Sequence, residues 1–308
     1  MKKLFYPMLV FITGVVISIM VVFNTEFGVA TTMGVSLMVN QAVGIVIITL
    51  IMIGGGRNVA INPQRKRAPW WLWFGGLFGF AILNLNYVTI IKLGASLAMA
   101  TAVFGQSLSA LVFDLTGFMG MQKTRFDRRK LLTLAVSASG IVVMGFSGGK
   151  FAVPYVLLGI LAGALTMTQM VYNGLFSSYK GELFSARQNV ISALIFAAVF
   201  YAVFEPKQTL GGLQAIASTP WYVALGGGTL AVFVVVSCNF IIPKIPAIYS
   251  ALLMSSGQIL MSVAIDRVFY GVFSAQLFIG ALLILFGMIG NLFIDMGLGR
   301  GSGQDPYR

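Results

Sequence analysis

The sequence predicts an all-α integral membrane protein with ten transmembrane helices arranged as two inverted five-helix repeats. Three observations lead there. Of the 308 residues, 58% are hydrophobic and only 9% charged, and the mean hydropathy is +0.93; a soluble domain carries about 25% charged residues, far more than this chain can offer to water. Long apolar runs recur at spacings that leave only short polar connections. Segments of the first half return in the second.

The spans follow in order, each bounded by charge, Pro, Gly or Asn. The first, 5–23, starts after Lys2-Lys3 and ends at Asn24; it resembles a signal peptide but lacks a small-x-small cleavage site, so it reads as an uncleaved span. The second, 31–53, ends at Gly54 to Gly56. The third, 70–91, opens with Pro69 and the tryptophans Trp70, Trp71 and Trp73, and closes at Lys92. Gly94 precedes the fourth, 96–113, which ends on Asp114; the fifth, 131–146, follows Arg128-Arg129-Lys130. The remaining five are 154–172, 183–204, 221–242, 247–265 and 273–294. Hydrocarbon offers no partner for an open sheet edge, and about 20 apolar residues span it as a helix, so each run is read as a helix.

Lys and Arg set the orientation. Sorting them by alternate loops places 16 on the side of the N-terminus, including Arg65-Lys66-Arg67 and Arg128-Arg129-Lys130, and only Lys92, Lys150, Lys207 and Arg267 on the other, 4 of the 20 in all. Both termini are therefore expected in the cytoplasm. The net charge of +12 reflects this topology and not a nucleic-acid partner, because the basic residues punctuate apolar spans and form no folded polar face. These runs also suit contact with anionic lipid.

The internal repeat is the most informative feature. Pro69-Trp70-Trp71 returns as Pro220-Trp221-Tyr222, 151 residues later. Gly105-Gln106 and Asp114 correspond to Gly257-Gln258 and Asp266, with Gln and Asp eight apart both times. Gly14, Asn24, Ser36 and Asn40 each stand 149 residues before Gly163, Asn173, Ser185 and Asn189, and Phe126 and Gly140 match Phe273 and Gly287. Residues 1–150 thus form one repeat, 151–300 the second, and 301–308 a short cytoplasmic tail. Five spans per repeat force the second to begin on the opposite side of the membrane. Homologous halves of opposite orientation suit alternating access to a midplane site, the arrangement of a secondary transporter.

With PWW…GG at the third span and GQ-x7-D closing the fourth, the chain resembles the drug/metabolite transporter superfamily, with its EamA-like fold, and within it the YdcZ-like branch. The likeness covers nearly the whole length; Cys238-Asn239 and Pro243 depart from Tyr87-Val88 and Lys92. The resemblance implies an inner-membrane carrier for a small molecule, with a cavity lined by the first four helices of each half. It places the fifth and tenth helices at the periphery or at a homodimer contact, and favours export.

Polar side chains within a span should face a cavity or a partner helix. The candidates for substrate contact are Asn40, Asn84, Tyr87, Gln106, Asn189, Asn239 and Gln258. Phe80, Asn84, Tyr87 and Ile91 share one helical face at spacings of four and three. Asn24 and Asn173, at the ends of their predicted spans, are expected as helix C-caps, and Ser36 and Ser185 accompany Asn40 and Asn189. The eight acids fall at span ends or in loops, so no midplane carboxylate is available for cation or proton exchange of the small-multidrug kind. Asp114, Asp266 and Arg187 are the candidates for coupling or gating. For the aspartates the alternative is an interfacial cap or an ion pair with Lys123 or Arg267; for Arg187 it is snorkelling to the interface.

No histidine and one cysteine, Cys238, remove His/Cys zinc sites, Ser-His-Asp triads and disulfides. No catalytic residue, metal or cofactor is expected. An intramembrane aspartyl enzyme fails on distance, because Asp114 and Asp266 end spans on opposite faces of a hydrocarbon layer about 30 Å thick. A channel or lipid scramblase remains the competing reading, since it also needs a polar path without acids.

Overall fold

The computed structural model describes residues 2–55, 67–120, 127–146, 152–241 and 247–301. Among them all regular structure is helical: α1 (Lys2–Ala30), α2 (Met33–Ile53), α3 (Gly76–Thr116), α4 (Arg129–Gly145), α5 (Val153–Lys180), α6 (Glu182–Phe204), α7 (Pro206–Ala215), α8 (Trp221–Ile241), α9 (Ala247–Val268) and α10 (Ala275–Gly301). A 3₁₀ turn, Trp70–Phe74, leads into α3. Five stretches of the described residues are long and apolar enough to cross a membrane, with mean hydropathies between 1.5 and 2.4. One of them, Trp70–Phe113, runs for 44 residues, more than twice what a bilayer needs. It is the predicted third and fourth spans merged, and it breaks at Gly94, whose φ of 79° and ψ of 167° are not helical. A side chain at that φ would be strained, which is why the break falls on glycine.

Helix α7 is not foreseen by the hydropathy reading, which leaves 205–220 as a connection. It is polar enough to be missed, begins with Pro206 in its first turn where a missing N–H costs nothing, and meets α8 at 106° through the turn Ile216–Ser218.

The chain forms two compact units, one of residues 1–19, 89–163 and 236–308, the other of 20–88 and 164–235. In the first, glycines allow three close helix crossings. A Cβ on Gly14 would lie 1.9 Å from the Met254 carbonyl oxygen, and one on Gly163 1.8 Å from that of Ala102. Gly257 and Gly105 repeat the pattern, 2.3 Å from the Phe11 oxygen and 2.0 Å from the Ile160 oxygen. Each contact of the first repeat with the second has its counterpart under the sequence offsets. The third crossing joins α4 to α10: Gly140 meets Gly280 and Ile284, and Gly287 meets Thr133 and Ser137. Rising numbers on one helix meet falling numbers on the other, so these homologous helices run antiparallel. Around them Leu97, Val103, Met144, Ile259, Ala281 and Ile284 form a buried cluster.

In the second unit α2 packs on α6, again antiparallel. Gly34 lies against the ring of Tyr201 and Gly44 against Val190, with Leu37, Ala197 and Tyr201 buried between them. Gly76 is pressed on the Ala193 nitrogen and the Asn189 oxygen, and its N–H donates to Ser192 Oγ at 3.0 Å. Trp70 and its repeat partner Trp221 are each 76% exposed, as side chains of an interfacial belt would be.

Candidate functional site

The site is built where α1 turns into α2. Helix α1 continues past its apolar run to Ala30, and the Thr25 and Thr31 hydroxyls donate back to the Val21 and Phe27 carbonyls at 3.0 and 2.6 Å. Asn24 is therefore an interior helical residue and not a C-cap; the same holds for Asn173, because α5 extends to Lys180. Capping at this turn is done by Thr32, whose hydroxyl accepts from the Val35 N–H that opens α2.

Asn24 is instead the centre of a polar cluster. Asn40 Nδ2 donates to Asn24 Oδ1 at 2.6 Å, and Ser36 Oγ donates to the Asn24 carbonyl at 2.7 Å. Asn40 and Ser36 are buried, 6% and 4% exposed. Asn24 Nδ2 is buried and has no hydrogen-bond partner among the described residues, a condition worth about 1–3 kcal/mol in desolvation. Asn24, Thr25, Ser36 and Asn40 line a cavity of about 20 Å³ with Asn86 and Tyr87 of α3 and the apolar Val21, Met33, Leu37 and Leu83. Tyr87 stands against Gly28, where a Cβ would come within 2.4 Å of its ring. Among the described residues the lining offers amides, hydroxyls and one phenol, with no carboxylate or base.

The second repeat uses the corresponding residues differently. Ser185 Oγ donates to the Asn173 carbonyl at 3.3 Å, repeating the Ser36–Asn24 bond. Gln169 Nε2, however, reaches Asn189 Oδ1 at 3.4 Å and the Gly75 carbonyl at 3.5 Å. The Tyr172 hydroxyl donates to the Trp71 carbonyl and Gln188 Nε2 to that of Trp73 at 3.4 Å. These polar groups tie α5 and α6 to the Trp70–Phe74 turn. At the positions of Asn86 and Tyr87 the second repeat carries Ser237 and Cys238.

The structure thus brings Asn40 and Tyr87 together, and Asn24, Asn86 and Thr25 join them. The predicted Phe80–Asn84–Tyr87–Ile91 face does not act as one surface. The Asn84 Nδ2 donates to the Phe80 carbonyl at 2.7 Å and its Oδ1 accepts from the Tyr201 hydroxyl, while Ile91 is 46% exposed. Arg187 lies over the Phe184 ring at 5.6 Å. In the other unit, Gln258 is 4% exposed and its carbonyl accepts from Ser18 Oγ at 2.7 Å; Gln106 is half-buried. Asp266 is 4% exposed and binds backbone N–H groups at the Gly94 break. The side chains of Asn239 and Asp114 lie outside the described residues. Asn24 and Asn173 were detectable in principle: each sits 16 residues before Asn40 or Asn189, and the pair recurs intact in both repeats. Among the described residues no three acidic or sulfur side chains gather to hold a metal.

The repeat seen in the sequence and in the paired glycine crossings recurs in the comparison with known families. The family described as "Putative inner membrane exporter, YdcZ" matches residues 5–143 and again 154–290. The chain belongs to the YdcZ family of drug/metabolite transporters. It is an inner-membrane protein of an exporter family, with one family unit in each half. None of the curated proteins compared with it matches. A solved structure titled "Crystal structure of protein" is 17% identical over 94% of this chain and 96% of its own, with a TM-score of 0.48.

Proposed function

We propose that this YdcZ-family protein is a secondary carrier that exports a small polar or amphipathic molecule across the inner membrane by alternating access, and that it carries out no catalysis. The observation that carries this reading is the buried amide cluster: within apolar helices, Asn24, Ser36 and Asn40 are held by one another, and Asn24 Nδ2 has no partner among the described residues. Membrane helices keep such groups where they face a cavity or a partner. With neither carboxylate nor base among the described lining residues, the preferred solute presents a neutral hydrogen-bond acceptor, which Asn24 would satisfy, beside an apolar or aromatic part packing on Tyr87.

A cavity of about 20 Å³ holds one water-sized group, whereas sites for metabolite-sized ligands are ~300 Å³ or larger. Binding on this reading requires the helices around Asn24 to separate, which is the motion alternating access supplies. The antiparallel pairing of α4 with α10 and of α2 with α6 supports ten spans in two inverted halves, with both termini cytoplasmic from the charge distribution. Asn40 and Tyr87 contact the solute together with Asn24 and Asn86; Gln106, Gln258 and Asn239, which belong to the other unit, are separate candidates for solute contact. Asn84 and Asn189 hold neighbouring helices, and Arg187 sits at the interface. Lipid surrounds the bundle, and any second copy would meet it at the outer faces of α4 and α10.

The test is a thermal-shift screen of the purified protein against a metabolite library, repeated on Asn40→Ala. A neutral acceptor-bearing compound should stabilise the parent, and the variant should bind it about two- to tenfold more weakly, the worth of one lost neutral hydrogen bond. Unchanged affinity in Asn40→Ala would remove the amide cluster from the binding site.

A further inference from the structure

The Gly94 break leaves the resumed part of α3 with unsatisfied N–H groups at its start, as any helix N-terminus has. Gly94 has no side chain to cap them. The cap comes from the end of α9: the Ala95 N–H donates to Asp266 Oδ1 at 2.9 Å and the Ser96 N–H to Oδ2 at 2.7 Å. Asp266 is 4% exposed, and Ala95 and Ser96 are fully buried. A buried carboxylate is costly without partners. Two charge-assisted bonds and the positive end of a helix dipole supply them here. Its neighbour Arg267 is turned onto the Phe273 ring, 4.9 Å away, so the carboxylate is held by backbone. Ser96 Oγ is buried beside it without a partner among the described residues, a group that would gain a partner on exposure to water.

This joint links the last turn of one repeat's fourth element to the first turn of the other's. Below it Leu97 and Val103 pack with Ile259 and Val263, and at the break itself Asp266 supplies the polar hold. We propose that Asp266 is a gating residue: its two bonds to Ala95 and Ser96 latch α9 to the resumed part of α3, and they break and re-form during the conformational cycle. The inference rests on the carrier reading for its purpose, but the latch itself can be tested without a substrate.

The experiment uses the full-length protein purified in detergent, with Cys238→Ser removing the single native cysteine and Ser96→Cys as reporter. Labelling by a maleimide is timed against global thermal unfolding of the same sample. The parent should label much faster than it unfolds. Asp266→Asn, which puts an N–H donor where one of the two accepting oxygens stood and carries no charge, should label on the order of tenfold faster than the parent. Ala95→Pro deletes one donor while leaving Asp266 in place, is tolerated in a first helical turn, and should do the same; it carries the test alone if Asp266→Asn gives no folded protein. Parent labelling no faster than unfolding would make Asp266 a fixed structural cap and overturn the proposal, as would unchanged labelling in the folded variants. Because no step needs transport, a failed latch and a failed carrier reading give separate results.

Discussion

Asn84 and Asn40 show how two amides of similar sequence setting take different roles. Both oxygen and nitrogen of the Asn84 amide are occupied, by the Tyr201 hydroxyl and the Phe80 carbonyl, and Tyr201 is 1% exposed among Leu37, Ala197 and Phe80. Tyr201→Phe should therefore lower stability by about 1 kcal/mol, read as a drop in melting temperature, while leaving ligand affinity unchanged. An affinity loss with unchanged melting temperature would move Asn84 into the binding site. Asn40, by contrast, spends one donor on Asn24 and lines the cavity. The sequence places Asn40 and Tyr87 at a candidate site but misplaces Asn24, because hydropathy marks where the apolar run stops and not where the helix stops. Thr25, Glu26 and Gly28 end the apolar run, yet the helix continues through them to Ala30. The partner of Asp266 was equally hidden: its carboxylate binds main-chain N–H groups more than 150 residues away, and backbone donors leave no mark in a sequence.

At the scale of the helix, the glycines that the repeat pairs in the sequence have a shared purpose in the structure. Gly105 and Gly257 both lie against a carbonyl of a neighbouring helix, as Gly14 and Gly163 do. Gly163→Ala should clash with the Ala102 carbonyl and cost about 1–3 kcal/mol, seen as a lower melting temperature in detergent. Gly174→Ala, with nothing within 4 Å of its added Cβ, is the matched control and should be neutral or slightly stabilising, since alanine favours helix. Equal destabilisation by both would remove the packing explanation. Helix α7 lay beyond the hydropathy signal because its contact is narrow: Gly212 seats on Thr32 and Val35, a fit made by a small residue and not by an apolar face.

For the molecule as a whole, the repeat offsets relate contacts in pairs: Gly14–Met254 with Gly163–Ala102, Phe11–Gly257 with Ile160–Gly105, Gly140–Gly280 with Thr133–Gly287. Paired contacts of this kind let two halves exchange conformations at little difference in energy, the property a carrier needs. The cavity is where the halves differ, with Asn86 and Tyr87 in one and Ser237 and Cys238 in the other. On the proposed carrier reading, recognition falls to the first half's amides and the exchange of shape to both. The decisive measurement is counterflow in proteoliposomes loaded with the compound found by thermal shift. A carrier that alternates access should take up labelled compound transiently against its gradient when unlabelled compound fills the lumen, and Asn40→Ala should weaken the uptake two- to tenfold. Flux that follows the gradient alone, indifferent to compound on the far side, would mean a channel or scramblase and would contradict alternating access.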